Sequence, residues 1–375
     1  MKIVEITDSL RPGGGVNSFV FDLSLALRNA GCDVLLIGIT QTADHQELIS
    51  LREAGVIVET LGAENKLDAV LHHIPRLRKR ILDFSDGQKV VCNLHLKLSV
   101  LMGCLATIGL SNVKNVETYH NTYHHYHLQC FALRSRIKKY ICVSEEARRE
   151  MRRRFHTRDK DTLAIPNGVS RREIRRSVLD IEEKKERREK VHAISIGRLS
   201  YEKNFLTSVR ALVEVCNDHL SYTVVGGGPQ LSEMQKIAEK NNHINLVGGQ
   251  PREKCMELLS QSDIVIMPSL WEGRSILQLE AAAFDKPMIL SDVPGLREPF
   301  REPALSDEEL FRVCSFGYLV RTNDVKSYQA AVKHFIENRD KLGVGMRESV
   351  KRVSIENDIS IVAEKYLGCF SECFI

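Results

Sequence analysis

The chain contains no apolar stretch long enough to cross a bilayer; the longest, residues 98–110, reads as a buried helix. Its start, MKIVEITDSL, carries one lysine and an apolar run broken by Glu5 and Asp8, which fits neither a signal peptide nor a transit peptide. Low-complexity tracts are lacking and glycine and proline are unremarkable, so long disordered segments are not expected. No C-x-x-C pair occurs. The ten cysteines (Cys32, Cys92, Cys104, Cys130, Cys142, Cys216, Cys255, Cys314, Cys369 and Cys373) are scattered, most of them inside apolar segments, which is the pattern of reduced, buried thiols in a cytosolic protein.

What is present is a soluble, globular composition, 43% hydrophobic and 27% charged, in a chain of 375 residues, more than one hydrophobic core usually supports. The net charge of +4 is mild but uneven. Basic residues cluster at Arg76-Leu77-Arg78-Lys79-Arg80, at 148–154 and at 171–176, where either a solvated helix face or a phosphate-rich or anionic-membrane partner would account for them.

Short β-branched runs alternate with helical periodicity from the start: residues 3–7, a helix over 16–30, then 34–39, 56–60, 90–94, 116–119, 140–143 and 162–165. Pro166-Asn167-Gly168 signals a turn and a highly charged stretch, 171–190, follows. A second series runs through 191–196, 222–225, 244–247, 264–267, 288–290 and 317–320. This βαβ rhythm predicts an α/β protein of two Rossmann-like, doubly wound domains, 1–168 and 169–354, with a C-terminal helical segment over 355–375 that packs back on the first. Two facing halves would place one site in a cleft at the carboxyl ends of their strands.

Several motifs stand at those strand ends. Pro12-Gly13-Gly14-Gly15 follows the first strand, where glycines let backbone approach a phosphate, although the Lys-Ser/Thr of a Walker A loop is missing and a plain tight turn is the alternative. After the first strand of the second half comes Gly197-Arg198-Leu199-Ser200-Tyr201-Glu202-Lys203-Asn204; Arg198 and Lys203 could neutralise a leaving diphosphate, or form surface salt bridges. Gly226-Gly227-Gly228-Pro229 permits close packing or a wide turn. Glu272 and Glu280 are separated by seven residues. With a helix beginning near Ser275, its free N–H groups could hold an anion, while Glu280 lies at most about 11 Å further along. In the histidine-rich run from His120 to His127, His120 and His124 could share a helix face, but no acidic or cysteine ligand stands nearby at zinc spacing. Paired aspartates for a divalent ion are also missing, so no metal is expected, and His120 reads better as a polar contact to a reacting sugar.

In order along almost the whole chain, these motifs, with Val143-Ser144-Glu145, Ile165-Pro166-Asn167-Gly168-Val169, residues 224–229 and Pro268-Ser269, resemble the retaining glycosyltransferases of family 4, which have the GT-B architecture. The resemblance implies that Arg198 and Lys203 bind the donor diphosphate, that backbone N–H groups at Ser275 and Ile276 cap it, and that Glu280 holds the ribose. Glu272 would face the donor sugar, Gly14 and Gly15 would close over the phosphates, His120 would lie against the sugar, and main chain around Gly249 and Gln250 would meet the base. Arg274 and Ser275 depart from the Phe-Gly common in relatives, which would add a charge to the loop over the sugar; Asp285 takes a helix-ending place often held by Gly.

The resulting expectation is a retaining, metal-independent enzyme without cofactor, cytoplasmic or peripheral at the inner membrane face, which moves a hexose or N-acetylhexosamine from a UDP-sugar to a glycan or lipid-linked glycan in polysaccharide biosynthesis. The stretch 71–82, with Leu71, Ile74, Leu77 and Ile81 among basic residues, is the candidate face for an anionic membrane. A nucleotide-sugar epimerase on the same scaffold and a sugar-nucleotide-binding partner without catalysis are the alternatives; no nucleic-acid partner is expected.

Overall fold

A computed structural model describes residues 1–120, 132–176, 190–339 and 344–375. The chain divides into two compact units, Met1–Gly168 with Asp358–Ile375, and Val169–Asn357.

The first unit is built on a parallel sheet of order β3-β2-β1-β4-β5-β6-β7. Its strands are β1 (Lys2–Thr7), β2 (Asp33–Thr40), β3 (Ile57–Ala63), β4 (Val90–His95), β5 (Val113–Tyr119), β6 (Ile137–Cys142) and β7 (Thr162–Ala164). Central strands such as β4 are buried along their whole length, because helices cover both faces of a parallel sheet. Chain order reverses between β1 and β4, the switch point at which such sheets bind ligands. The helix Ile359–Glu372 returns to this unit and packs on the helix Gly15–Asn29, with Tyr366 and Phe370 fully buried. Asp358 starts it by accepting from the Ser360 N–H at 3.0 Å.

The second unit repeats the order of the first five strands, in a sheet of order β10-β9-β8-β11-β12-β14-β13. Its strands are β8 (Val191–Ile196), β9 (Leu220–Val225), β10 (Ile244–Leu246), β11 (Ile264–Met267), β12 (Met288–Ser291), β13 (Phe311–Cys314) and β14 (Gly317–Val320). The runs read from sequence are strands. β13 was not anticipated: it is an antiparallel edge strand whose FRVC sequence has one buried side chain, so it lacks the continuous apolar run that marks the parallel strands.

Two of the charged segments have contacts of their own in the structure. Residues 71–82 are not one amphipathic face, because His73 separates the helices Lys66–His72 and Ile74–Ser85, and Leu77 and Ile81 are spent in the core. The nearby arginines also have structural work: Arg76 donates to the Leu61 carbonyl at 2.7 Å, Arg78 to the Ala106 and Ile108 carbonyls, and Arg80 pairs with Glu59. Leu67, Leu71 and Leu82 are apolar side chains left exposed there. In the cluster at 171–176, Arg175 caps the helix Ile276–Ala283, donating to the Ala283 carbonyl at 2.8 Å and pairing with Asp285. Asp285 itself is left-handed at φ 54°, the conformation its helix-ending position implied.

Nine cysteines are free thiols among the described residues, all buried but the half-buried Cys255; Cys130 lies outside them. Among the described residues no helix is long and apolar enough to cross a membrane.

Candidate active site

In the second unit the candidate residues follow successive strands of one sheet edge: Arg198 after β8, the triple glycine after β9, Gln250 after β10 and Glu272 after β11. Backbone packing holds these loops together. The Gly197 N–H donates to the Val225 carbonyl, Leu199 to Gly227, and Gly226 to Gly248, all within 2.8–2.9 Å. A Cβ at Gly226 would lie 1.8 Å from the Gly197 oxygen, and one at Gly228 2.4 Å from the Leu199 oxygen. Gly226 and Gly228, though not Gly227, are thus required by the approach of the Arg198 loop.

Arg198 is exposed, and its guanidinium has no hydrogen bond or ion pair among the described residues. Lys203 ends a short 3-10 turn, and Asn204 behind it, at φ 53°, donates to the Pro268 carbonyl at 3.1 Å. The Leu270 N–H donates to the Glu202 carbonyl, so the two loops are tied at the point where their charges meet. There Lys203 Nζ sits 2.5 Å from Glu272 Oε1, which also accepts from Ser269 Oγ at 2.7 Å. The structure therefore joins Lys203 and Glu272 in one ion pair.

Ser275 is the N-cap of the helix Ile276–Ala283 but makes no side-chain cap, so the first turn's N–H groups have no capping acceptor there. Both Ser275 and Ile276 are buried. Glu280 is 7% exposed and pairs with Arg252 at 3.3 Å. Arg252 is the residue that motif reading missed; its signal was a cation at the start of the helix following Gln250. The Gln250 side chain folds back, donating to the Val247 carbonyl at 2.8 Å, and its own carbonyl accepts from Cys255 Sγ at 3.6 Å.

Arg274 differs from its sequence expectation. Instead of adding a charge to the loop surface, it is 8% exposed and donates to Asn357 Oδ1 at 2.8 Å. Burial pulls its pKa down to about 10, partly offset by Glu298 and Glu356, so it remains a cation at neutrality. It anchors the loop from beneath.

In the first unit Gly14 and Gly15 are exposed at the start of the helix Gly15–Asn29, where Gly14 caps without a side chain and a Cβ would meet nothing within 4 Å. Asn17 closes the loop by donating to the Arg11 carbonyl at 2.7 Å. His120 directly follows β5, half-buried, with its Nε2 2.8 Å from His95 Nδ1. His95 Nε2 in turn lies 2.5 Å from Glu5 Oε2. Neither His95 nor Glu5 was singled out from sequence, although polar residues at alternate positions of buried strands were the available sign. His124 and the rest of the histidine run lie outside the described residues. Among the described residues no group of three or more His, Cys, Asp and Glu side chains is arranged to hold a metal ion.

The chain matches known proteins in sequence and in fold. The family model described as Glycosyltransferase Family 4 matches residues 13–173, and that described as Glycosyl transferases group 1 matches residues 178–353. The chain is similar to the phosphatidylinositol N-acetylglucosaminyltransferase GPI3 subunit of Saccharomyces cerevisiae, 29% identical over 43% of this chain, although the alignment spans only 37% of that relative's length. It is also similar to the Escherichia coli UDP-Gal:alpha-D-GlcNAc-diphosphoundecaprenol alpha-1,3-galactosyltransferase, 24% identical over 56% of this chain and 54% of the relative. Among solved structures, Anabaena Alr3699/HepE in complex with UDP and glucose superposes with a TM-score of 0.77 at 16% identity, covering 99% of this chain and 100% of the other, which is a likeness of fold. The chain therefore belongs to the glycosyltransferases of GT-B fold, with a Glycosyltransferase Family 4 domain followed by a Glycosyl transferases group 1 domain.

Proposed function

We propose that this protein transfers a hexose or N-acetylhexosamine from a UDP-sugar to a hydroxyl of a glycan or lipid-linked glycan, with retention at the anomeric carbon and without a metal. The observation that carries the reading is the Lys203–Glu272 pair beside the uncapped start of the helix Ile276–Ala283, with Arg198 exposed on the neighbouring loop. When the glycosidic bond of the donor breaks, the electron pair leaves with the diphosphate. Arg198, Lys203 and the helix N–H groups are preorganised positive groups for that developing charge.

The remaining roles in this proposal are those the family resemblance implies. Glu272 faces the donor sugar while holding Lys203, Glu280 takes the ribose hydroxyls, and main chain at Gln250 meets the base. From the first unit, Gly14 and Gly15 offer backbone to the phosphates, and His120 offers a ring nitrogen to the sugar. Retention calls for attack on the face the diphosphate leaves, with a phosphate oxygen accepting the acceptor's proton. The relatives named for phosphatidylinositol and for diphosphoundecaprenol support a lipid-linked acceptor, and the solved neighbour with bound UDP supports a uridine donor. A lipid-linked acceptor would bring the protein to a membrane surface from the cytoplasm, with exposed Leu67 and Leu71 as the apolar contact.

A thermal-shift panel of UDP-glucose, UDP-galactose and UDP-N-acetylglucosamine against ADP-glucose and GDP-mannose tests the donor. One UDP-sugar should raise the melting temperature more than the others, since a ligand that binds only the folded chain stabilises it. NMR of the glycoside formed from that donor should show the donor's anomeric configuration. No shift with any UDP-sugar, or an inverted product, would refute the proposal.

A further inference from the structure

The first unit places a chain of polar side chains inside its sheet, across the switch point between β1 and β4. Glu5 on β1 is in register with Asn93 on β4, and His95 on β4 with Thr118 on β5. Side chains of a strand alternate between faces, so Asn93 with His95, and Thr118 with His120, form one row beside Glu5. Asn93 Nδ2 donates to Glu5 Oε2 at 2.9 Å, and Thr118 Oγ1 donates to Asn93 Oδ1 at 2.8 Å, which fixes the amide's orientation. Tyr366, from the C-terminal helix, and Phe19 cover the row; Phe19 packs edge-on against the His120 ring.

Two atoms of this otherwise satisfied row have no partner among the described residues: Glu5 Oε1, at the inner end, and His120 Nδ1, at the outer end. The ring nitrogens and the carboxyl touch at 2.5 and 2.8 Å, which leaves no room for an ion between them. Each contact needs one proton, so the contacts act as a line in which each proton's position fixes the next.

We propose that Glu5 and His95 are positioning residues that set the tautomer of His120, so that the proton on Glu5 decides whether His120 Nδ1, buried and without a partner among the described residues, donates or accepts a hydrogen bond. The inference rests on the reading of His120 as the nitrogen offered to the sugar. With Glu5 protonated, Oε2–H donates to His95 Nε2, His95 Nδ1–H donates to His120 Nε2, and His120 Nδ1 carries a hydrogen. When one proton is lost, the Oε2 proton passes to His95 Nε2, the His95 Nδ1 proton passes to His120 Nε2, and the proton of His120 Nδ1 leaves. The row then holds one proton fewer, the charge resides on Glu5, and Nδ1 is an acceptor. Both states keep the Glu5–His95 and His95–His120 hydrogen bonds, and Asn93 Nδ2, which also lies 3.1 Å from His95 Nε2, stays held by Glu5 Oε2 at 2.9 Å.

Burial holds the participants in the required forms. It raises Glu5 to about 8, with Asn93 pulling slightly the other way, and lowers His95 to about 3, so His95 stays neutral. His120 is held well below its ordinary value by burial and by His95. The other titratable groups near Glu5 are Cys92, on the opposite face of β4, and Tyr366 on the C-terminal helix, both pushed upward by burial and neutral.

The test uses the full chain labelled with 15N-histidine, with ring correlation spectra recorded from about pH 6 to 9 and His120 assigned by its absence in His120→Asn. In the wild type, His120 Nδ1 should change from hydrogen-bearing to bare, and Nε2 the reverse, with a midpoint near 8. In Glu5→Gln, which lacks an ionisable carboxyl, neither nitrogen should change over that range. A wild-type His120 that keeps one tautomer throughout, or a Glu5→Gln chain that switches like the wild type, overturns the proposal; the wild-type titration decides even if the variant does not fold. His120→Asn turning over the UDP-sugars of the panel at the wild-type rate would instead remove the functional reading, while the ring spectra still decide the relay.

Discussion

At the residue scale the candidate site is a set of charges held by each other. Lys203→Ala removes a charge stabiliser of the leaving diphosphate and should lower turnover by about two orders of magnitude. Glu280→Ala should instead act mainly on donor binding, seen as a reduced thermal shift with the UDP-sugar that stabilises the wild type. Wild-type turnover in the first or a wild-type shift in the second would contradict the roles given to them. Arg274 makes the opposite kind of prediction. Its side chain is buried and hydrogen-bonded to Asn357, so Arg274→Ala leaves a cavity and removes the donor to Asn357 Oδ1. The expected cost is about 2–4 kcal/mol, measured as a lowered urea midpoint. The placement of Arg198, Lys203 and Glu272 after strands, and of Glu280 within the helix that follows, was legible from the spacing of the motifs. The burial of Arg274 was not, because sequence spacing does not reveal which way a loop side chain turns.

At the element scale the loops after β8, β9 and β10 are one packed unit, and the glycines between them differ in what they tolerate. Gly226→Ala would drive a Cβ to within 1.8 Å of the Gly197 oxygen at a φ of +151°. Overpacking of 1–3 kcal/mol with backbone strain added should lower the melting temperature by roughly 5–10 °C. Gly227 faces open space, with nothing within 4 Å of a Cβ, so Gly227→Ala should melt within about 1–2 °C of the wild type. Equal melting of the two variants would mean that the loops are free to separate. Strands with continuous β-branched runs were readable, whereas β13 depends on its antiparallel pairing with β14 and has little apolar signal of its own. The basic helix Ile74–Ser85 shows the same limit: its periodicity was correct, but whether its apolar face met a membrane or the core depended on β-sheet residues far away in sequence.

For the whole molecule, buried titratable groups predict how stability depends on pH. Glu5 and Glu117 are raised by burial to about 8 and about 7, so their contribution is complete below their ordinary 4.5 and is lost as pH rises through those values. His95 and His120 are lowered from 6.5, so theirs is complete above 6.5 and is lost as pH falls. Between 4.5 and 6.5 the two trends oppose, and melting temperature should form a plateau that falls on both sides. Glu5→Gln should flatten the alkaline side, removing a slope of about 1 kcal/mol per pH unit between pH 6.5 and 8. Calorimetry across this range checks it; a melting temperature that climbs steadily to pH 8 would contradict the burial of these carboxyls as neutral acids.

The sequence by itself determined the two βαβ series, the glycine turns and the strand-end motifs, because local periodicity and steric demands on single residues are properties of short segments. Tertiary structure decided the pairings: Lys203 with Glu272, Arg252 with Glu280, and Glu5 with His95 across 90 residues. Those depend on strand order and register, which bring alternate side chains of distant segments into one row. Burial then turns proximity into chemistry by removing the water that would otherwise satisfy each group.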